Sequence, residues 1–113
     1  MDTALIEEAI MVQQLANLTG PEIARATGVK DATVRAWLSR TRSPNRGQAA
    51  ERLLELASIV ERLSKILKPK YIATWLRKPN PGLSHRKPID LIATGHFEEV
   101  SRVVAAVESP SAS

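Results

Sequence analysis

Apolar residues along this chain recur three and four positions apart and nowhere alternate one-in, one-out over a strand's length. That spacing lines one face of a helix and cannot line one face of a sheet, so the expected fold class is all-α. The pattern is clearest at Leu53, Leu56, Val60, Leu63 and Leu67, a heptad-like seam. A seam this short packs on its own domain or against a second copy, and the spacing alone allows both. Aromatics are only 4% of the 113 residues and hydrophobic residues 43%, so the core is expected to be aliphatic.

Helix punctuation divides the chain further. Leu5, Ala9, Val12 and Ala16 stripe a first helix over about 4–18, widened by Ile6, Ile10 and Met11. Thr19-Gly20 ends it, and Pro21 suits the first position of a short helix over 21–27. Gly28 offers a turn with positive φ, and Asp31 is expected to cap a helix over 31–40. The connector "TRSPNRG" at 41–47 is polar and turn-rich, and a long helix follows over 48–67. Pro69 opens a helix over 69–77. The segment "KPNPGLSHRKP" at 78–88 has three prolines and is expected to be a stiff loop unable to pair like a strand. Helices over 88–94 and 96–107 are separated by Gly95, and the tail from 108 is small and polar. The expected organisation is 1–47, 48–107 and a flexible tail over 108–113, either as one domain or as two small modules sharing a core.

Charge is unevenly placed. Residues 20–46 hold six bases and two acids, whereas residues 1–19 hold three acids and no base. Local positive charge of that kind suggests a polyanion partner. The stretch 20–40 also has the steric requirements of a helix-turn-helix. Ala24 is small where two helices cross, Gly28 supplies the turn, and Val34, Trp37 and Leu38 point inward opposite Ile23 and Val29. The outward face then carries Lys30, Asp31, Ala32, Arg35, Ala36 and Ser39, free of large apolar groups. Lys30 and Arg35 are the base-edge candidates, because guanine presents two acceptors. Asp31 accepts from cytosine or caps the helix. Thr33, Arg40, Arg42 and Arg46 are expected on phosphates. One such unit binds weakly, so a dimer on operator DNA is expected. The competing reading keeps the bihelical unit as scaffold only.

Residues 62–89 contain eight bases and no acid. That strip is a second DNA-facing surface, a contact for an acidic protein, or a solvated face. Trp75 is either core or an interface anchor. Catalysis has little support. The chain has no cysteine and two histidines, His85 and His96, which form no i,i+4 pair with each other. A metal site from them with Asp90 and Glu98, a nucleophile, and a phosphate-cradling loop all lack the required spacing. Neither enzyme activity nor a cofactor is expected. The opening residues are acidic, and no apolar run approaches the ~20 residues of a membrane span. A soluble cytoplasmic protein without membrane contact is the expectation.

The pieces "WLRKPNPGL" and "KPIDLIATGHFEEVSRVV" within 75–104, together with the unit at 20–40, resemble the Xre/MbcA/ParS antitoxins of RES–Xre toxin–antitoxin modules. The family's recurring features fall here on Trp75-Leu76, Pro79-Asn80, Pro88-Ile89-Asp90-Leu91-Ile92 and Gly95. The resemblance implies an Xre-like helix-turn-helix followed by a helical toxin-binding domain. It implies a cognate RES-domain toxin that consumes NAD and is blocked at its cleft, promoter binding by the antitoxin or the complex, and self-association into a homodimer or larger assembly. On that footing toxin contacts are expected at Trp75, Lys78, Pro79, Asn80, His85, Arg86, Lys87 and His96. The tail residues Glu108, Ser109, Ser111 and Ser113 are further candidates. The alternative is a stand-alone dimeric transcriptional regulator whose second half only dimerises.

Overall fold

The structure, a computed structural model, describes residues 4–44 and 47–109. Arg46, Ser111 and Ser113 lie outside the described residues. Seven helices form: α1 Ala4–Ala16, α2 Gly20–Thr27, α3 Asp31–Leu38, α4 Gln48–Ser64, α5 Pro69–Arg77, α6 Pro88–Ala93 and α7 Phe97–Glu108, with a 3-10 turn at Pro81–Leu83. The all-α expectation holds over these residues. None of the described helices is long and apolar enough to cross a membrane.

The organising element is α4. Its residues Leu53, Leu56, Ile59, Val60 and Leu63 are all 0% exposed. Helix α1 lies along it, and α2, α5, α6 and α7 all touch it, while α3 packs on α2 and α1. One apolar cluster runs from Ala9 in α1 through α4 to Val104 in α7. The seam residues Leu53, Leu56, Val60 and Leu63 are therefore spent on this chain's own core, and Leu67 is partly buried against it. The dimer-seam alternative fails here because those side chains have no surface left to offer. Among the described residues the large apolar side chains that remain exposed are Leu54, Ile66, Tyr71 and Val107.

Several helix ends differ from expectation for local reasons. Helix α1 stops at Ala16, because Asn17 turns left-handed at φ 55. This frees Thr19 to cap α2 rather than end α1. Its hydroxyl accepts from the Glu22 N–H at 3.3 Å, and the Glu22 carboxylate accepts from the Thr19 N–H at 2.9 Å, a reciprocal capping box. Lys30, not Asp31, is the N-cap of α3 and makes no side-chain cap bond. Asp31 sits inside the first turn, where its charge still suits the positive end of the helix dipole. The left-handed Arg40, φ 63, follows the end of α3 at Leu38. Helix α4 ends at Ser64 rather than 67, and α7 includes Glu108, which is thus helical and not tail.

The loop 78–88 also departs from expectation. Asn80 N–H donates to the Arg86 carbonyl at 3.1 Å, an isolated antiparallel bridge. Prolines block pairing only where a donor is required, and the donors used here belong to non-proline residues, with the Leu83 and His85 N–H groups also donating to the Asn80 carbonyl at 2.9 Å each. The Asn80 side chain accepts from the Gly82 N–H at 2.8 Å, and Ser84 and His85 follow at φ 56 and 63. Two glycines elsewhere suit backbone turns at positive φ. Gly28 turns out of α2 at φ 77, and a Cβ on Gly95, φ 88, would come 2.9 Å from an Arg52 guanidinium nitrogen.

The burial of α4 gives a direct stability test. Leu56→Ala is expected to lower the unfolding free energy by ~2–5 kcal/mol. Leu54→Ala, at a side chain 48% exposed, should cost less than ~1 kcal/mol by urea denaturation. Equal costs would mean that the wrong face of α4 has been placed inward.

Candidate functional site

Two surfaces gather the residues singled out by the sequence. The first is a groove between the 78–88 loop and α6, a cavity of about 490 Å³. Pro79, His85, Arg86, Lys87 and His96 all line it, five of the residues expected at a protein interface. Asp90, Leu91 and Thr94 complete the wall from α6 and the turn after it. The sequence makes this groove in two steps. The Asn80–Arg86 bridge folds the loop back, and Gly95 turns the chain so that His96 caps α7 facing α6's end. The His96 Nδ1 lies 2.9 Å from the Thr94 hydroxyl, which also donates to the Asp90 carbonyl at 3.0 Å. His96 is thus held at one ring nitrogen. Among the described residues no group of His, Cys, Asp or Glu is placed to hold a metal ion.

Not all of the expected contact residues share that groove. Trp75 is partly buried against the core, which reconciles its two readings: one side packs and the other is reachable. Lys78 is exposed, and Asn80 is engaged in the loop's own bonds. Glu108 pairs with Arg62 at 2.7 Å, and Arg62 also donates to the Ser101 hydroxyl at 2.8 Å. The hydrogen bond from Arg62 lowers the Glu108 pKa. Glu108 therefore closes α7 onto α4 instead of reaching outward, and Ser109 follows it as an exposed C-cap.

The second surface is the outer face of α3. Lys30, Asp31, Ala32 and Arg35 are exposed there, while Val34 and Trp37 are buried as expected. Arg42 is exposed beyond the helix, and Thr33 is half-buried. Arg40 is pinned to Glu7 of α1 by an ion pair that raises the Arg40 pKa and lowers that of Glu7.

The joint between these surfaces leaves no mark in the sequence pattern. Glu22 of α2 receives two hydrogen bonds from the Arg77 guanidinium of α5, one of them at 2.7 Å. Arg25 of α2 pairs with Asp90 of α6 at 2.8 Å. The Thr19-x-x-Glu22 box was legible as a local signal, but nothing local announces a partner 55 residues away.

Residues 68–109 match the family described as "Antitoxin Xre/MbcA/ParS C-terminal toxin-binding domain". Mycobacterial cidal antitoxin MbcA of Mycobacterium tuberculosis is 30% identical over 90 residues, covering 80% of this chain and 79% of that protein. The chain belongs to the Xre/MbcA/ParS antitoxin family. It is thus an antitoxin-family protein and not an enzyme. A Prs ADP-ribosylating antitoxin of a Sphingobium species is 32% identical over 95 residues, covering 74% of this chain and 59% of that protein. The crystal structure of the M. tuberculosis MbcT–MbcA toxin–antitoxin complex contains a chain that superposes at a TM-score of 0.80, with 27% identity, 91% of this chain and 92% of that chain. The family segment of this antitoxin begins just before α5 and ends just after α7, so it contains the whole groove but not α4, whose side chains fill the core beneath it.

The Glu22–Arg77 pair makes the fold pH-sensitive. Hydrogen bonding from Arg77 holds the Glu22 carboxyl at about 2, below its ordinary 4.5. The stability it contributes is present above about pH 4.5 and is lost as pH falls towards 2. Arg77 is 46% exposed, so solvent screening limits the effect to on the order of 1 kcal/mol. In urea melts, the gap between this protein and Glu22→Gln should be widest near neutral pH and close as pH falls. A gap that stays constant down to about pH 2 would dismiss the pair.

Proposed function

We propose that this antitoxin binds a cognate toxin through the 68–109 segment and inhibits it sterically, and that α2–α3 forms a helix-turn-helix for duplex DNA. The toxin is read as a RES-domain enzyme that consumes NAD, with this chain covering its cleft. The observation that supports this most is a coincidence of place. The segment matching the toxin-binding domain family contains the groove in which Pro79, His85, Arg86, Lys87 and His96 come together. Their bases suit an acidic contact surface, and the loop's internal bonds lower the entropy lost on docking. The structural likeness to an antitoxin from a solved toxin–antitoxin complex points the same way.

Inhibition in this reading needs no chemistry from the chain. His85 and His96 act by contact, and any loss on substituting them follows binding affinity. Pairing of copies, where it occurs, falls to exposed apolar side chains such as Leu54, Ile66, Tyr71 and Val107, since the α4 seam is buried. The DNA arm draws on the exposed bases around α3 and on the small Ala32 and Ala36, which permit close approach to a groove.

Co-expression with the toxin encoded beside it supplies the test. The pair should co-purify, and this chain at stoichiometric ratio should stop the toxin's loss of NAD. An active toxin in saturating excess of this protein ends the inhibitor reading. Lys87 caps α6 without a side-chain bond, so Lys87→Glu leaves the fold intact. It should weaken toxin binding roughly tenfold, the cost of a like-charge contact of about 1.4 kcal/mol. Removal of residues 110–113 should leave inhibition unchanged, whereas a loss would move the contact from the groove to the tail.

The DNA arm is tested on the promoter. Arg35→Ala should weaken a specific site by ~1–3 kcal/mol relative to random sequence, and Arg42→Ala should weaken all sequences alike. Unchanged promoter affinity in both variants would mean that the wrong face has been chosen.

A further inference from the structure

The groove along α6 differs from end to end. Lys87, Asp90, Leu91 and Thr94 line it at i, i+3, i+4 and i+7 spacing, so one face of that helix forms the wall. Lys87 opens the face, and Thr94 closes it about 10 Å further on, beside His96. The first end offers an exposed ammonium. The second is set by hydrogen bonds. The Thr94 hydroxyl oxygen lies 3.0 Å from the Asp90 carbonyl oxygen, 3.3 Å from that of Leu91 and 2.9 Å from His96 Nδ1. Carbonyl oxygens only accept, so the one hydroxyl hydrogen is used within the helix. What the hydroxyl turns to His96 is a lone pair, and Nδ1 therefore carries the ring hydrogen. The opposite tautomer would draw the hydroxyl hydrogen to Nδ1 and leave two oxygens 3.0 Å apart with no hydrogen between them. In a neutral imidazole with its hydrogen on Nδ1, Nε2 is a bare acceptor. His96 is exposed, and its ring makes no other hydrogen bond among the described residues.

We propose that His96 is a specificity-determining acceptor of this groove, that Thr94 positions its ring hydrogen, and that the toxin presents a hydrogen-bond donor to His96 Nε2. The proposal rests on the toxin reading for the identity of the partner, but not for the tautomer. It makes the groove two-ended. An acidic group of the toxin meets Lys87, and an N–H or O–H group meets His96 about 10 Å away along α6. Positive charge alone would accept any acidic surface in any direction. A donor and an acceptor at fixed separation admit one orientation, because an acid placed at the His96 end meets a lone pair instead of a donor. The Asp90 carboxylate stands in the same wall, paired with Arg25 at 2.8 Å, and likewise disfavours a second acid there.

The tautomer is read on the free full-length chain, without the toxin. The chain has two histidines, and a long-range proton–nitrogen NMR correlation at alkaline pH places the ring hydrogen of each. His96 should carry it on Nδ1. Thr94→Val keeps the side-chain shape and removes the hydroxyl, so it should abolish that preference, and Thr94→Ser should retain it. Affinity for the toxin encoded beside this chain is the second readout. Thr94→Val should weaken it roughly fivefold, the cost of a ring free to take the other tautomer, while Thr94→Ser stays within about twofold. His96→Phe keeps a ring without the acceptor and should weaken binding roughly tenfold, whereas His96→Gln supplies an amide oxygen in its place and should stay within about threefold. Both side chains are exposed, so these variants keep the fold. A ring hydrogen on Nε2 in the free chain overturns the proposal whatever the toxin does. A ring hydrogen on Nδ1 with His96→Phe at full affinity overturns it as well, and leaves the inhibitor reading standing. A chain that does not bind the toxin at all removes both readings together.

Discussion

Burial of one broad face of a long helix against five neighbouring helices sets the geometry of this molecule. Helix α4 encloses Leu53, Leu56, Ile59, Val60 and Leu63 along one broad face, while Glu51, Leu54 and Glu61 stay exposed on the other. A helix with so broad an apolar surface has to be wrapped by neighbours. Helices α1 and α2 cover it from the N-terminal half, and α5, α6 and α7 from the C-terminal half. The family segment therefore cannot be separated cleanly from the rest. It supplies the groove, but the core beneath the groove belongs partly to α4.

Helix α2 is the second shared element. Ile23, Ala24 and Ala26 bury its inner side, while Glu22 and Arg25 reach Arg77 and Asp90 of the C-terminal half. Partly exposed ion pairs contribute little energy, about 0–1 kcal/mol each, so apolar packing holds the halves together. The two-point Arg77–Glu22 contact adds orientation instead, because a guanidinium fork accepts a carboxylate in few geometries. It also ties the cap of α2 to α5, since the same carboxylate accepts from Thr19. Asp90 stands at a comparable junction, lining the groove on one side and pairing with α2 on the other.

What the sequence disclosed follows from the range of the interactions involved. Helix identity depends on spacing within a few residues, and all seven helices were legible in that way. Their ends were less so. Asn17 and Arg40 adopt left-handed conformations that no glycine announces. The buried state of the Leu53–Leu63 seam was open because a heptad step has the same form whether the covering helix comes from the same chain or another. The groove was half visible. The Pro-rich loop and Gly95 marked its edges, but folding the loop back depends on a set of hydrogen bonds centred on Asn80 that the proline content does not announce. The unpaired indole N–H of Trp37 was hidden, because only the three-dimensional arrangement leaves that buried donor without a partner.

The partition of charge links the two surfaces. All six ion pairs among the described residues use arginine, and no lysine takes part in one. Planar guanidinium groups hold carboxylates with less entropy lost per bond, whereas lysine keeps its mobility and hydration. Arg62, Arg77 and Arg86 of the basic 62–89 strip are thus neutralised by Glu108, Glu22 and Glu99. Compensated charge contributes little field at a distance, so the formal net charge of +4 understates how localised the remaining potential is. The arginines outside ion pairs among the described residues are Arg35, Arg42 and Arg102, of which Arg35 stands on α3 and Arg42 just beyond it. The unpaired lysines of the strip include Lys87, at the groove. Internal pairing has consumed the bases that tie helices together, and among those left over Arg35, Arg42 and Lys87 stand at the outer face of α3 and at the groove.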